Sequence, residues 1–294
     1  MKNNNKGWLY LLPAIAFLGV FMVYPLIDVF VYAFEEGFNF ASQTYKGVGW
    51  YNFSYVLHDP YFLQAVKNTF ILVIITVPLS TGLALLISLG LNSIKPLKNL
   101  FQTVYFLPYV TNTLAVGLVF MILFKKTAYT DGLVNLIINW FGGQSIDFID
   151  GPYWAKMFVM CFYTVWVVMP FKILILTSAL ASVKQDYYNA AKIDGTSKSR
   201  IFWRIRMPAC RQGILAGTVL AFARALGEYG ATSMIAGYTP KKTATISTTV
   251  YQMWRTDNDA ECIKWILINV AISVVVLLVI NLFEKKQAEG RRKS

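Results

Sequence analysis

Arg224 and Glu228 stand four residues apart in ARALGEYGATSMIAGY, a stretch otherwise free of charge. On a helix that spacing puts both on one face, where they can pair. A charge at the centre of a membrane helix costs roughly 2.5 to 3.5 kcal/mol on insertion scales, so such ions face a protein interior or an aqueous cavity. Three readings stay open: a bridge holding the bundle or a gate together, a contact with ligand, or simple nearness to the membrane interface. Tyr229 belongs to the same candidate gate, and Gly227 and Gly230 offer close approach to a neighbouring helix. Asn112, Thr113 and Trp166 are further pathway candidates, offering hydrogen bonds or an aromatic face to a sugar, although such residues also serve helix packing. Lys172 is expected to snorkel toward the headgroups.

Other chemistry finds little support. The chain has no GxxxxGK[ST] loop, no GxSxG elbow and no HExxH pair, and His58, in LHDPYF, is its only histidine. No general base is evident for a serine or cysteine nucleophile, and Asp28 and Glu228 form no obvious carboxylate pair. With three cysteines and no CxxC spacing, neither a metal site nor a disulfide is expected. Cys161 is placed in a span, Cys210 in a loop and Cys262 at the outer face. No catalytic residue is assigned.

The elements that carry these residues must be membrane helices. Of 294 residues, 56% are hydrophobic and only 14% charged, far from the quarter that soluble domains carry. Runs of about 20 apolar residues span a bilayer, and six emerge, near 8–34, 67–92, 101–124, 156–182, 213–237 and 263–283. The first is too long for the apolar region of a signal peptide and lacks a small-residue cleavage site, so it reads as a retained helix. The formal charge of +12 lies mostly at the ends of apolar runs, which argues for topology and against nucleic acid. Lys2, Lys6, Lys95, Lys98, the basic residues from Lys184 to Arg211, and Lys285 to Lys293 fall on one side. By the positive-inside rule that side is cytoplasmic, with both termini. The segment DGLVNLIINWFGG, Asp131 to Gly143, reads as a short amphipathic outer helix.

One polar stretch, DYYNAAKIDGTSKSRIFWRIRMP, lies between the fourth and fifth runs. Asp186 is expected to cap a short helix, Tyr187 to Ile193 to form it, and Gly195 to stop it in a left-handed conformation. Ala190 and Ala191 give a low side that another protein can approach, while Tyr187, Tyr188 and Ile193 fill a pocket or anchor the helix to its own bundle. Ile201, Phe202 and Ile205 follow at interfacial-helix spacing, and Pro208 marks the next boundary.

NAAKIDG followed after nine residues by IRMP resembles the EAA loop of binding-protein-dependent ABC importer permeases. The family's Glu is Asn189 here, and its Leu before Pro is Met207; Asn hydrogen-bonds more weakly than a carboxylate. LLPAIAFLGVFMVYPL, NFSYVLHDPYFLQAVKNTF and FQTVYFLPYVTNTLAVGLVFMILF are similar to sugar permeases of the maltose and glycerol-3-phosphate type. The fifth span instead resembles molybdate and sulfate permeases, where a GEFGAT-like string occurs.

The resemblance implies an all-α, six-helix type I ABC importer permease. Residues 1–66 would form the N-terminal tail, first helix and outer loop; 67–283 a five-helix core with the coupling loop at 183–212; and 284–294 a basic tail. It implies a second homologous permease, a cytoplasmic ABC ATPase dimer that carries ATP and Mg, and an extracytoplasmic solute-binding protein, in a bacterial-type cytoplasmic membrane. The ATPase would meet Asp186, Tyr187, Tyr188, Asn189, Ala190, Ala191, Ile193, Asp194, Gly195, Ile205 and Pro208. A sugar-like solute leads as substrate; an oxyanion, polyamine or metal chelate is the alternative, and a non-transporting scaffold or receptor the alternative of another class.

Overall fold

A computed structural model of the chain describes residues 6–39, 41–94, 98–181, 183 and 185–293. Lys2, Lys95 and Lys184, three of the topology-setting lysines, lie outside these residues. The described residues open with a helix, α1 (Lys6–Leu18), which passes through a π-helical turn at Gly19–Val23 into α2 (Tyr24–Phe34). The wider turn stands directly before Pro25, whose missing N–H interrupts the regular ladder. Asn52, buried on α3 (Tyr51–His58), donates to the carbonyls of Ala33 and Glu35 and so closes the end of α2.

Between them lies a feature the helical reading did not foresee. Glu35–Glu36 and Gly47–Val48 pair as a two-stranded antiparallel hairpin. Gly37 sits at φ +65°, in the left-handed region that lets the chain leave the first strand.

The bundle proper is built on α4 (Phe62–Ser93) and α8 (Tyr153–Ala181). Ala84, Leu91, Ile173 and Leu176 interlock along their C-terminal halves, and Ser88 Oγ donates to the Ile173 carbonyl at 3.1 Å. Small residues at such a seam let the backbones approach where lipid supplies no hydrophobic drive. α5 (Lys98–Val110), α6 (Thr113–Phe124), α11 (Met207–Leu226) and α12 (Gly230–Ile235) pack on this pair, and α13 (Ile246–Arg255) and α14 (Asp259–Lys293) complete the chain. The expected short helix is present as α7 (Leu133–Trp140).

All six apolar runs fold as helix, but not as six unbroken spans. Among the described residues four helices are long and apolar enough to cross a membrane: Tyr10–Phe34, Phe62–Asn92, Tyr153–Ala181 and Asp259–Val279. A fifth is counted only if Thr103–Val110 and Thr113–Phe124, bent by 101°, form one broken span. The run at 213–237 is also broken, because α11 ends at Leu226 and Gly227 turns the chain. Arg211 and Arg224, with glycines at 213 and 217, dilute its hydropathy.

The three cysteines are free and buried. Cys210 lies within α11 rather than in a loop, because that helix begins three residues earlier.

Candidate functional site

The two broken helices meet. Asn112 N-caps α6, its Oδ1 accepting from the Leu114 and Ala115 amides at 2.9 and 3.3 Å. Glu228 does the same service for the start of α12, its Oε1 accepting from the Ala231 amide at 3.0 Å. A side chain on Gly230 would come within 3.1 Å of Thr113 Oγ1, and one on Gly117 within 3.0 Å of the Ala231 backbone. Gly230 therefore permits the close approach expected of it. Gly227 does not, since its nearest neighbour is the Ala223 carbonyl of its own helix. Just past the two breaks Thr113 and Gly230 pack together, while Asn112 and Gly227 themselves stay exposed.

The expected Arg224–Glu228 bridge is absent. The only salt bridge among the described residues joins Lys264 to Glu261. The i,i+4 geometry requires continuous helix, and α11 stops between the two residues. Arg224 instead places its guanidinium 4.9 Å from the centroid of the Tyr109 ring, which stacks on Phe171 at 5.0 Å. Tyr229 stacks on Tyr251 at 4.2 Å, and Tyr251 leads to the exposed Trp254 at 5.7 Å. Trp166 packs on Phe120 at 5.4 Å within the main apolar cluster, so packing is its evident role. The pathway candidates thus divide: Asn112, Thr113 and Glu228 gather at the junction, Arg224 lines a neighbouring cavity, and Trp166 joins the core.

Lys172 does not snorkel. It is 1% exposed, and its Nζ donates to the Val77 carbonyl at 3.0 Å, to Ser80 Oγ at 2.7 Å and to Thr81 Oγ1 at 2.6 Å. These acceptors form a polar notch on α4 around Pro78. An ammonium has three donors and finds three acceptors, so the side chain pins α8 to α4. The charge in the span is visible in the sequence; its partners, on another helix, are not.

Farther along α4, Asn68 is fully buried and was missed. Its amide donates to the Lys242 and Ala244 carbonyls at 2.8 and 2.7 Å, and its Oδ1 accepts from the Tyr153 hydroxyl at 2.8 Å. One residue thereby ties α4, the start of α8 and the segment between α12 and α13. In that segment burial pushes the Tyr238 hydroxyl upward in pKa, opposed by a hydrogen bond with Thr249. His58 is an exposed residue with Nδ1 2.7 Å from the Ser54 carbonyl.

The polar stretch folds as an elbow. α9 (Gln185–Ile193) ends with Gly195 at φ +66°; the Gly195 amide donates to the Lys192 carbonyl and the Thr196 amide to that of Ala191, a complete Schellman closure. Asp186 is not the cap but lies in the first turn, where its charge complements the helix dipole. Ser197 caps α10 (Lys198–Ile201), which runs through a π-helical turn at Phe202–Arg206 into α11. Pro208 marks no boundary: the helix continues through it, and the π-helical turn just before it accommodates its missing N–H, as at Pro25.

The elbow has two faces. Tyr188, Ala191 and Ile201 are buried together, with Val183 and Ile205 against them and the Arg206 guanidinium 5.1 Å from the Tyr188 ring centroid. On the other face Asp186, Asn189, Ala190 and Asp194 are exposed, as are Tyr187 at 61% and Ile193 at 87%. Of the residues expected to anchor, Tyr188 does so, while Tyr187 and Ile193 point away.

Comparison with known proteins agrees with this architecture. The lactose transport system permease protein of Rhizobium radiobacter is 33% identical over 217 residues, covering 73% of this chain and 70% of that one. A sulfate transport system permease protein of Synechocystis is 28% identical, over 94% and 93% of the two chains. The fold matches a chain of a bacterial ABC transporter involved in the import of the acidic polysaccharide alginate, with a TM-score of 0.80 at 20% identity, over 97% and 98% of the chains. The family model for the binding-protein-dependent transport system inner membrane component matches residues 80–287, and this chain belongs to that family of ABC importer permeases.

Proposed function

We propose that this chain imports a carbohydrate, as one of two permeases lining a shared pathway, with α9 seated on a cytoplasmic ABC ATPase. ATP and Mg belong to that ATPase, and an external binding protein delivers the solute. Both termini are cytoplasmic on this reading. The observation that carries it is the two-faced elbow: Tyr188, Ala191 and Ile201 fix α9 to its own bundle while Tyr187, Ala190 and Ile193 stand exposed beyond it. A lever must be held rigidly to transmit motion, and the Schellman stop at Gly195 with the continuous run from α10 into α11 supplies that stiffness. Asn189, in place of the family's Glu, offers the ATPase a neutral hydrogen bond.

The names of relatives favour sugar as cargo: lactose, arabinooligosaccharide and alpha-glucoside permeases are among those most similar to this chain. The sulfate permeases match more of its length, at 27% and 28% identity, which keeps an oxyanion as the second reading. Co-purification tests the coupling: the ATPase encoded with this permease is expected to remain bound to the wild type and to be lost from Ala190→Arg and Gly195→Trp. Unchanged recovery from both variants would remove the docking assignment. Radiolabelled lactose and sulfate uptake by the reconstituted importer separates the two cargo classes.

A further inference from the structure

Two positive side chains line one cavity in the helix bundle, and no carboxylate lines it with them. The cavity, about 200 Å³, lies between α5, α8 and α11, with Tyr109, Phe171, Lys172, Gly217, Leu220 and Arg224 in its wall. Lys172 has its three donors satisfied by a carbonyl and two hydroxyls, all neutral, so its charge is held in place but not cancelled. Arg224 rests on the face of Tyr109 and forms no salt bridge. Glu228 is near enough to feel that charge, yet its Oε1 is engaged by the Ala231 amide and it is not part of the cavity wall.

Like charges in a low-dielectric cavity raise the local potential and draw in an anion. Guanidinium is suited to carboxylate, which it can grip through two parallel N–H donors. The aromatic wall beside Arg224 adds a second preference. Phe171, stacked on Tyr109 at an interplanar angle of 26°, adds apolar surface of the kind that covers one face of a sugar ring. Gly217 lacks a side chain where one would reach Lys172 Cγ at 3.5 Å, which leaves the cavity open along α11.

We propose that this cavity binds a sugar bearing a carboxylate, one acidic ring at a time. Arg224 donates to the carboxylate, Lys172 supplies positive potential from behind, and Phe171 covers the ring. This rests on the carbohydrate reading above and narrows it to acidic sugars.

The test uses the full-length chain in nanodiscs, titrated separately with galacturonate, galactose and sodium sulfate by calorimetry. Galacturonate is expected to bind and galactose to bind at least about tenfold more weakly, the loss of one charge-assisted contact. Arg224→Gln should weaken galacturonate by a similar factor, with part of the affinity returned by Arg224→Lys. Leu220→Trp, which fills the cavity and keeps both charges, should abolish binding without altering the circular dichroism spectrum, and it decides the matter should Arg224→Gln not fold. Equal binding of galactose and galacturonate, or unchanged galacturonate affinity in Leu220→Trp, overturns the proposal. Sulfate binding without galacturonate binding assigns the cavity to a free oxyanion and overturns it too. Uptake of neutral sugar by the intact importer, with no galacturonate binding to the chain, leaves the carbohydrate reading standing and removes only the acidic site.

Discussion

The elbow at 185–206 and the junction where α6 meets α12 are both built around polar residues, yet they are held by different means. In the elbow nearly every closing contact is local: Gly195 to Lys192, Thr196 to Ala191, Ser197 to Arg200. At the junction the caps are local too, but the contact that closes it, Gly117 against Ala231, joins residues far apart, as do those of the notch where Lys172 meets Val77, Ser80 and Thr81. A local device can be weakened one hydrogen bond at a time. A long-range device in a membrane fails as a unit, because each exposed polar group has no water to turn to.

That difference is broken most severely at Lys172. Lys172→Glu replaces an ammonium surrounded by acceptors with a carboxylate facing a carbonyl oxygen at the same place, leaving a buried charge without compensation. The expected loss is about 3 to 5 kcal/mol, seen as collapse of detergent-stable yield and a fall in thermal unfolding temperature. Lys172→Met should be far milder, because Ser80 and Thr81 already donate to carbonyls of their own helix, Thr76 and Val77. Equal damage from Met and Glu would mean that the three hydrogen bonds, rather than the charge, hold α8 to α4.

Gly117→Leu comes next. A Cβ at 117 would stand 3.0 Å from the Ala231 backbone and 3.3 Å from its Cβ, so α6 and α12 must separate. Overpacking of this kind costs about 1 to 3 kcal/mol. Because α12 begins at the Glu228 cap, the loss should appear in transport before it appears in yield. Uptake unchanged by Gly117→Leu would show that the two broken helices need not touch for the importer to work.

The same contrast explains what the sequence disclosed. Apolar runs of bilayer length locate the helices, and the Gly195 stop and the end of α9 at Ile193 follow from local residue chemistry, whereas its start does not. The break at Asn112 was not read, although Asn before Thr-Leu-Ala-Val is an N-cap pattern, because a long apolar run on both sides suggested one straight span. Arg224 and Glu228 were misread for the same reason: their spacing was measured on a helix that Gly227 ends. Lys172 was placed at the headgroups because nothing local shows that Ser80 and Thr81, more than ninety residues earlier, would meet it. Periodicity reports what a residue's own helix does; partners across the bundle are set by packing.

The smallest change to stability separates the regions most sharply. Ile193 is the last residue of α9, and at 87% exposure it contributes almost nothing to the packing of its own chain. Ile193→Ser should move the unfolding temperature by no more than surface substitutions do, within about 0.5 kcal/mol. If α9 seats in an ATPase cleft, the same variant removes an apolar contact on the face that enters, and recovery of the ATPase should fall severalfold. Tyr188→Ser, one turn back on the buried face, should do the reverse: it opens the cluster with Ala191 and Ile201 and lowers stability by about 2 to 4 kcal/mol. A stable Ile193→Ser chain that keeps its full complement of ATPase would place the docking face elsewhere on the elbow, with Tyr187 and Ala190 as the residues left to carry it.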